Sequence, residues 1–172
     1  MPALLDSLQV LHAASFGWAM ACCAWQQDLA EDVLQEAYLR VLDGRAKYAG
    51  KSTRKTWFFA VIRHVAADMQ RTQKRHSVLN LRMLVDDRSA LEAPDKSLNE
   101  QLYQGQASQR LSHGLLQLSV RQREVLHLTF YAELTLEDAA ATLGISVGSA
   151  RTHYHRGKER LAQLLELDQG ND

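Results

Sequence analysis

Residues 135–161 read TLEDAAATLGISVGSARTHYHRGKERL, and this stretch decides the fold. Thr135 is placed to cap a short helix over Leu136–Leu143, in which Ala139, Ala140 and Ala141 present only methyl groups. Small side chains there let a second helix approach closely. Gly144 supplies the left-handed residue that ends the helix, Ile145 is an apolar plug, and Ser146 caps the helix that follows. A short helix, a brief turn containing glycine and a second helix make the helix-turn-helix pattern. With about 100° per residue, Val147, Ala150, Tyr154, Gly157, Leu161 and Leu165 share one face of the second helix. Arg151, Thr152, His155 and Arg156 share the opposite face. Two guanidinium forks, a hydroxyl and an imidazole are the groups a major-groove helix uses on phosphates and base edges. A merely solvated face would leave the agreement of cap, glycine, alanine helix and basic outer surface without a reason. Just upstream, Ser119-x-x-Gln122 forms a capping box, and Val125, Leu126 and Leu128 complete the core of this bundle.

Outward from this motif, nearly every segment repeats at the helical period, and strand-like alternation is missing. Helices are expected at about 5–26, 29–43, 54–75, 97–117, 120–131, 135–143 and 147–166. The polar, mildly acidic stretch 78–99, with Asp86, Asp87, Glu92 and Asp95, is the candidate linker. The expected fold is therefore all-α: two small helical bundles, residues 1–76 and 109–172, joined by a flexible linker over 77–108. Each bundle is small for a self-sufficient core.

The formal net charge is zero, with 20 Lys+Arg against 20 Asp+Glu. The distribution is uneven. Residues 1–39 hold five acids and no Lys or Arg, whereas residues 40–76 hold ten bases and two acids, a local +8. Such a block suits an anion or nucleic-acid site. It contains Lys51-Ser52-Thr53-Arg54-Lys55-Thr56-Trp57-Phe58-Phe59 and continues through Arg63-His64 to Arg71 and Lys74. Trp57, Phe58, Val61, Ile62, Val65 and Met69 form the expected core stripe of this helix. Arg63, His64, Arg71 and Lys74 form a basic stripe, with Phe59 at its margin. Cations tracking phosphates and rings stacking on bases suit a single strand. In the helix before it, Ala30, Val33, Leu34, Ala37, Tyr38 and Val41 face inward. Asp32, Gln35, Glu36, Leu39 and Asp43 lie together outside, and a leucine among acids suits a protein-docking face as well as it suits plain surface.

Residues 7–27 carry no formal charge, but Ser7, Gln9, His12, Ser15, Gln26 and Gln27 interrupt them, so no membrane span is expected. No basic residue precedes the stretch, which argues against a secretory signal. The two cysteines, Cys22 and Cys23, are neighbours and read as buried thiols in a reduced, cytoplasmic setting. No metal site, phosphate loop or paired acid/base constellation is found, so neither cofactor nor catalytic activity is expected.

Three stretches in this order, LAEDVLQEAYLRVL (29–42), GKSTRKTWFFAVIRHVAADMQRTQKR (50–75) and LSVRQREVLHLTFYAELTLEDAAATLGISVGSARTHYHRGKERLAQLL (118–165), resemble a bacterial sigma factor. More narrowly they resemble the extracytoplasmic-function (ECF) branch, the minimal sigma factors with only the second and fourth conserved regions. The resemblance implies a non-enzymatic protein that docks on core RNA polymerase and carries it to promoter DNA. It assigns Asp32, Gln35, Glu36 and Leu39 to the polymerase clamp. It assigns Lys51, Ser52, Thr53, Arg54 and Lys55 to a loop capturing a base flipped from the melted minus-10 element, with Arg63, His64 and Arg71 facing the same element. Arg151, Thr152, His155 and Arg156 fall on the minus-35 recognition helix. An anti-sigma factor is a further implied partner. Arg54 stands where the family's loop usually has an aromatic, His64 where Asn is common, and Ala150 where a bulkier aliphatic is typical; these departures are expected to alter promoter preference more than fold. The alternative from another class is a stand-alone helix-turn-helix regulator, which leaves the basic helix and Leu39 unexplained.

Overall fold

The structure, a computed structural model, describes residues 2–83 and 106–169. Every regular element among them is helical. Helices α1 (Pro2–Val10), α2 (His12–Cys22), α3 (Gln27–Leu42) and α4 (Arg54–Met83) build the N-terminal bundle. Helices α5 (Gln106–Leu116), α6 (Val120–Leu126), α7 (Leu136–Leu143) and α8 (Val147–Gln169) build the C-terminal one. The expected linker contributes the last turns of α4 and the first of α5. Its remainder, with the acidic cluster, and the first half of the helix expected from residue 97 lie outside the described residues.

The helix expected over 5–26 is two helices. At Leu11 the backbone turns (φ −85°, ψ 0°), and the Leu8 carbonyl accepts from the Leu11 N–H at 3.1 Å and the Tyr38 hydroxyl at 3.4 Å. A hydroxyl from α3 thus helps to satisfy the carbonyl at the break, a tertiary contribution that periodicity in α1 and α2 does not report. The end also comes earlier than expected, at Cys22. Ala24 and Trp25 take left-handed φ values of +50° and +62°, a conformation costing about 1–2 kcal/mol per non-glycine residue. The Trp25 ring is then placed 5.9 Å from the Arg123 guanidinium of α6, a cation–π contact that offsets part of that cost.

The caps form as the sequence predicts. Ser119 Oγ accepts from the Gln122 N–H, and Gln122 Oε1 accepts from the Ser119 N–H, both at 3.3 Å. Thr135 Oγ1 accepts from the Asp138 N–H at 3.1 Å, Gly144 sits at φ +65°, and Ser146 Oγ accepts from the Ser149 N–H at 3.1 Å. Beyond Leu126 the helix widens into a π-turn, His127–Tyr131. The Ala132 N–H reaches back five residues to the His127 carbonyl at 3.0 Å, while Thr129 Oγ1 donates to the carbonyls of Val125 and Leu126. The widened turn leaves Phe130 and Tyr131 exposed.

Trp18 is fully buried. Its indole N–H donates to the Phe59 carbonyl at 2.9 Å, and its ring stacks on Phe59 and meets His127 at 5.5 Å. The two bundles therefore share one continuous core. Trp18, Phe58, Phe59, Ile62 and Val65 from the first join Val125, Leu128, Ala132, Ala139 and Leu143 from the second. Phe59 corrects the sequence reading: it is fully buried rather than marginal to a basic stripe, and so is unavailable for stacking on a base. Trp57, Val61 and Met69, expected in the stripe with Phe58, Ile62 and Val65, are only partly buried.

Candidate nucleic-acid interface

On α8 the predicted division of faces is present. Ala150 and Gly157 are buried and Val147, Tyr154, Leu161 and Leu165 partly so, while Arg151, Thr152, His155 and Arg156 are all exposed. Gly157 lets the helix close on α6, for a Cβ there would meet Gln122 Cβ and Leu126 Cδ1 at 3.2 Å. Tyr154 is steadied by stacking on Phe130 at 5.7 Å, with Lys158 Nζ 5.1 Å from its ring. The outward residues thus stand on a helix that packs inward through Ala150 and Gly157, a presentation suited to a DNA groove.

Helix α3 presents the second surface. Asp32, Gln35 and Leu39 are exposed, and Glu36 is partly buried. Leu39, 47% exposed, rims a groove of about 560 Å³ between α2 and α3, with His12, Phe16, Leu34, Gln35 and Tyr38 along it. An apolar groove with a polar edge is what a protein anchor requires. Glu36 is tied by Arg40 at 2.9 Å and Arg45 at 3.0 Å, and the hydrogen bond from Arg40 leads in holding its carboxyl below the usual range.

The basic block is partly neutralised. Among the described residues, carboxylates pair with Arg40 (Glu36 and Asp68), Arg45 (Glu36 and Asp43), Arg71 (Asp68) and Arg63 (Glu124). The predicted loop residues separate into two groups. Lys51, Thr53 and Arg54 are exposed, Ser52 and Lys55 partly so, and Thr53 Oγ1 caps α4 by accepting from the Thr56 N–H at 3.1 Å. Beside the loop lies a hollow of about 350 Å³ rimmed by Lys47, Tyr48 and Arg54 and floored by Leu4, Val41 and Ala46. Lys47 and Tyr48 were not among the predicted site residues; their proximity to the loop arises because Tyr48 donates to the Ser52 carbonyl at 2.6 Å and packs on Trp57. His64 and Arg71 are exposed on α4, whereas Lys55 and Arg63 are turned toward the C-terminal bundle.

The cysteines are free thiols. Burial pushes both up, Cys23 to about 12, and the nearby Glu124 carboxylate raises Cys22 further. Among the described residues no His, Cys, Asp or Glu cluster is placed to hold a metal ion, and no helix is long and apolar enough to cross a membrane.

A shared-core pair of helical bundles, one carrying a helix-turn-helix and the other a basic helix beside an apolar groove, is the architecture of a helix-turn-helix protein of the nucleic-acid-binding class. Comparison with known proteins makes the class specific. Sigma-70 region 2 matches residues 16–76, and sigma-70 region 4 matches residues 108–161. The ECF RNA polymerase sigma factor SigX of Bacillus subtilis is 32% identical over 141 residues, spanning 80% of this chain and 71% of SigX. The RNA polymerase sigma factor CarQ of Myxococcus xanthus is 32% identical over 162 residues, spanning 93% and 88%. The sigma factor RpoE of Bartonella quintana, solved in complex with the anti-sigma factor NepR, has the same fold, with a TM-score of 0.72 at 24% identity over 98% of this chain and 99% of that one. The chain belongs to the ECF sigma factors of the sigma-70 family.

Proposed function

We infer that this protein binds core RNA polymerase and directs it to two-part promoters, as a non-enzymatic subunit acting in the cytoplasm. Residues 1–76 form the polymerase- and minus-10-binding part, 77–108 the connection, and 109–172 the minus-35-binding part. Asp32, Gln35, Glu36 and Leu39 grip the polymerase, with Leu39 as the apolar anchor at the groove. Lys51, Ser52, Thr53, Arg54 and Lys55 receive a flipped base of the melted minus-10 element, with the hollow beside Lys47 and Tyr48 as its seat. Flipping costs a few kcal/mol of stacking, which a pocket must offset. Arg63, His64 and Arg71 track the same strand, and Arg151, Thr152, His155 and Arg156 read the minus-35 duplex. Two structural relatives were captured with anti-sigma factors or the cytosolic domain of a partner, NepR and CnrY, which supports an anti-sigma factor as a partner here too.

The observation that carries this reading is the exposed face of Arg151, Thr152, His155 and Arg156 on a helix whose other side packs inward through buried Ala150 and Gly157. The test is transcription from a random promoter library with purified core polymerase. Initiation downstream of an enriched two-part element is expected, and it should be lost with Leu39→Asp or Arg156→Ala. Duplex selection without transcription would refute the sigma reading in favour of a stand-alone regulator.

A further inference from the structure

The π-turn leaves two consecutive aromatic side chains, Phe130 and Tyr131, 62% and 68% exposed, and the proposed function uses neither. Their rings diverge. Tyr131 turns toward the N-terminal bundle: its ring meets His127 at 4.9 Å, and a Cβ on Gly17 of α2 would come within 3.0 Å of Tyr131 Cε1. Phe130 turns toward α8 and stacks on Tyr154, with ring centroids 5.7 Å apart and planes 16° from parallel. Tyr154, half-buried, stands at the border between the inward and outward faces of α8. Its ring meets the His155 imidazole edge-on at 5.5 Å and carries Lys158 Nζ at 5.1 Å. Arg151 precedes it by three residues and Lys158 follows by four, spacings that make both its neighbours on the helix surface. Phe130 thus extends the outward face of α8 sideways, as an exposed ring backed by a second ring, beside exposed His155, Arg151 and Lys158.

From this juxtaposition we propose that Phe130 belongs to the minus-35 interface and reads the methyl group of a thymine there. The inference rests on the reading of α8 as the minus-35 recognition helix and adds a base-reading residue from outside that helix. An α-helix nearly fills a major groove about 12 Å wide, so a ring packed on the helix's flank is brought to the same groove surface. The apolar group on that surface is the thymine C5 methyl. A phenyl ring, having no N–H or O–H to donate and no lone pair to accept, tells thymine from the other bases by apolar contact with that methyl. Stacking on Tyr154 holds the ring in place before DNA arrives, so little side-chain freedom is lost on contact. Arg151 and Lys158 on either side match a phosphate backbone, and their charge favours DNA over an apolar protein groove as the occupant of this surface. The minus-35 element that this chain selects should therefore contain a thymine whose methyl lies against Phe130.

The test uses holoenzyme reconstituted from purified core polymerase and the full chain, on the promoter enriched from the random library. Each thymine of its upstream element, on either strand, is replaced singly by deoxyuridine, which removes only the C5 methyl, and promoter affinity is read by mobility shift. Wild-type holoenzyme is expected to bind roughly fourfold more weakly at one substituted thymine, the worth of one buried methyl group. Phe130→Ala is expected to lose about that factor on the thymine promoter and to bind the thymine and deoxyuridine forms alike. Phe130→Leu, which keeps an apolar side chain, should retain part of the discrimination, and Arg156→Ala should weaken binding to both forms while preserving their ratio. Weaker binding by Phe130→Ala with the thymine-to-deoxyuridine ratio intact makes the ring a support for Tyr154 and overturns the inference. Unchanged promoter affinity together with weaker assembly on core polymerase assigns Phe130 to a protein contact and overturns it as well. An enriched element with no methyl-sensitive thymine also overturns it and leaves the sigma reading standing, whereas failure to enrich any upstream element refutes that reading and the inference with it.

Discussion

His127 should make this protein acid-labile in a defined window. The imidazole sits in the π-turn between the Trp18 ring at 5.5 Å and the Tyr131 ring at 4.9 Å, and its buried Nε2 has no hydrogen-bond partner. Burial pulls its pKa from the ordinary 6.5 down to about 4, because the charged ring would lose hydration in an apolar setting. The unfolded chain protonates first as pH falls, so stability is full well above the unfolded value and is lost progressively as pH drops toward the folded one. With about 1.4 kcal/mol per pKa unit, the loss is about 2 kcal/mol near pH 5 and approaches about 3 kcal/mol below pH 4. Replacing His127 with Phe keeps a ring in the slot and removes both the titration and the unpartnered nitrogen. Urea unfolding of both proteins between about pH 7.5 and 5 should show the wild type falling by about 2 kcal/mol more than His127→Phe. The depressed carboxyls of Glu36 and Asp68 act in both proteins, at lower pH, so they cancel in the difference. Parallel curves would refute the assignment of a neutral imidazole with a buried Nε2 at the junction of the bundles.

Gly157→Leu should destabilise the C-terminal bundle by about 1–3 kcal/mol in thermal unfolding, since even a Cβ would meet α6 at 3.2 Å. Trp18→Phe removes the buried indole donor to the Phe59 carbonyl and should lower stability by about 2 kcal/mol in the same assay, because the cavity and the lost hydrogen bond act together. Thr135→Ala, lacking the hydroxyl that caps α7, should cost about 1 kcal/mol by urea unfolding. Arg156→Ala should weaken minus-35 duplex binding and reduce the magnitude of its salt slope by about 1 if it is a phosphate contact; an unchanged slope with relaxed base preference would make it a base reader instead.

Local chemistry was readable without coordinates wherever one segment carried its own instructions. The capping box at Ser119, the cap at Thr135, the left-handed Gly144 and the split faces of α8 all depend on spacings of three or four residues along one helix. The candidate recognition face was legible for the same reason, as was the inward face of α3, with Ala30, Val33, Leu34, Ala37 and Val41 buried. Failures came where a partner distant in the chain decided the outcome. The break at Leu11 is supported by Tyr38, and the left-handed Trp25 packs against Arg123. Phe59 lies beside the basic stripe on a helical wheel, but Trp18 and the π-turn bury it.

By itself the amino-acid order determined the helical class, the helix-turn-helix and the family, because caps, glycines and apolar periods act over one or two turns. Only the tertiary structure decided that the two bundles share a core and that Lys55, Thr56 and Arg63 spend their hydrogen bonds on Ala132, Asp138 and Glu124. A charge count over residues 40–76 registers ten bases without regard to what faces them. Whether a guanidinium is available depends on which carboxylate the fold brings within about 3 Å of it, and that partner stands 61 residues away in the chain for Arg63.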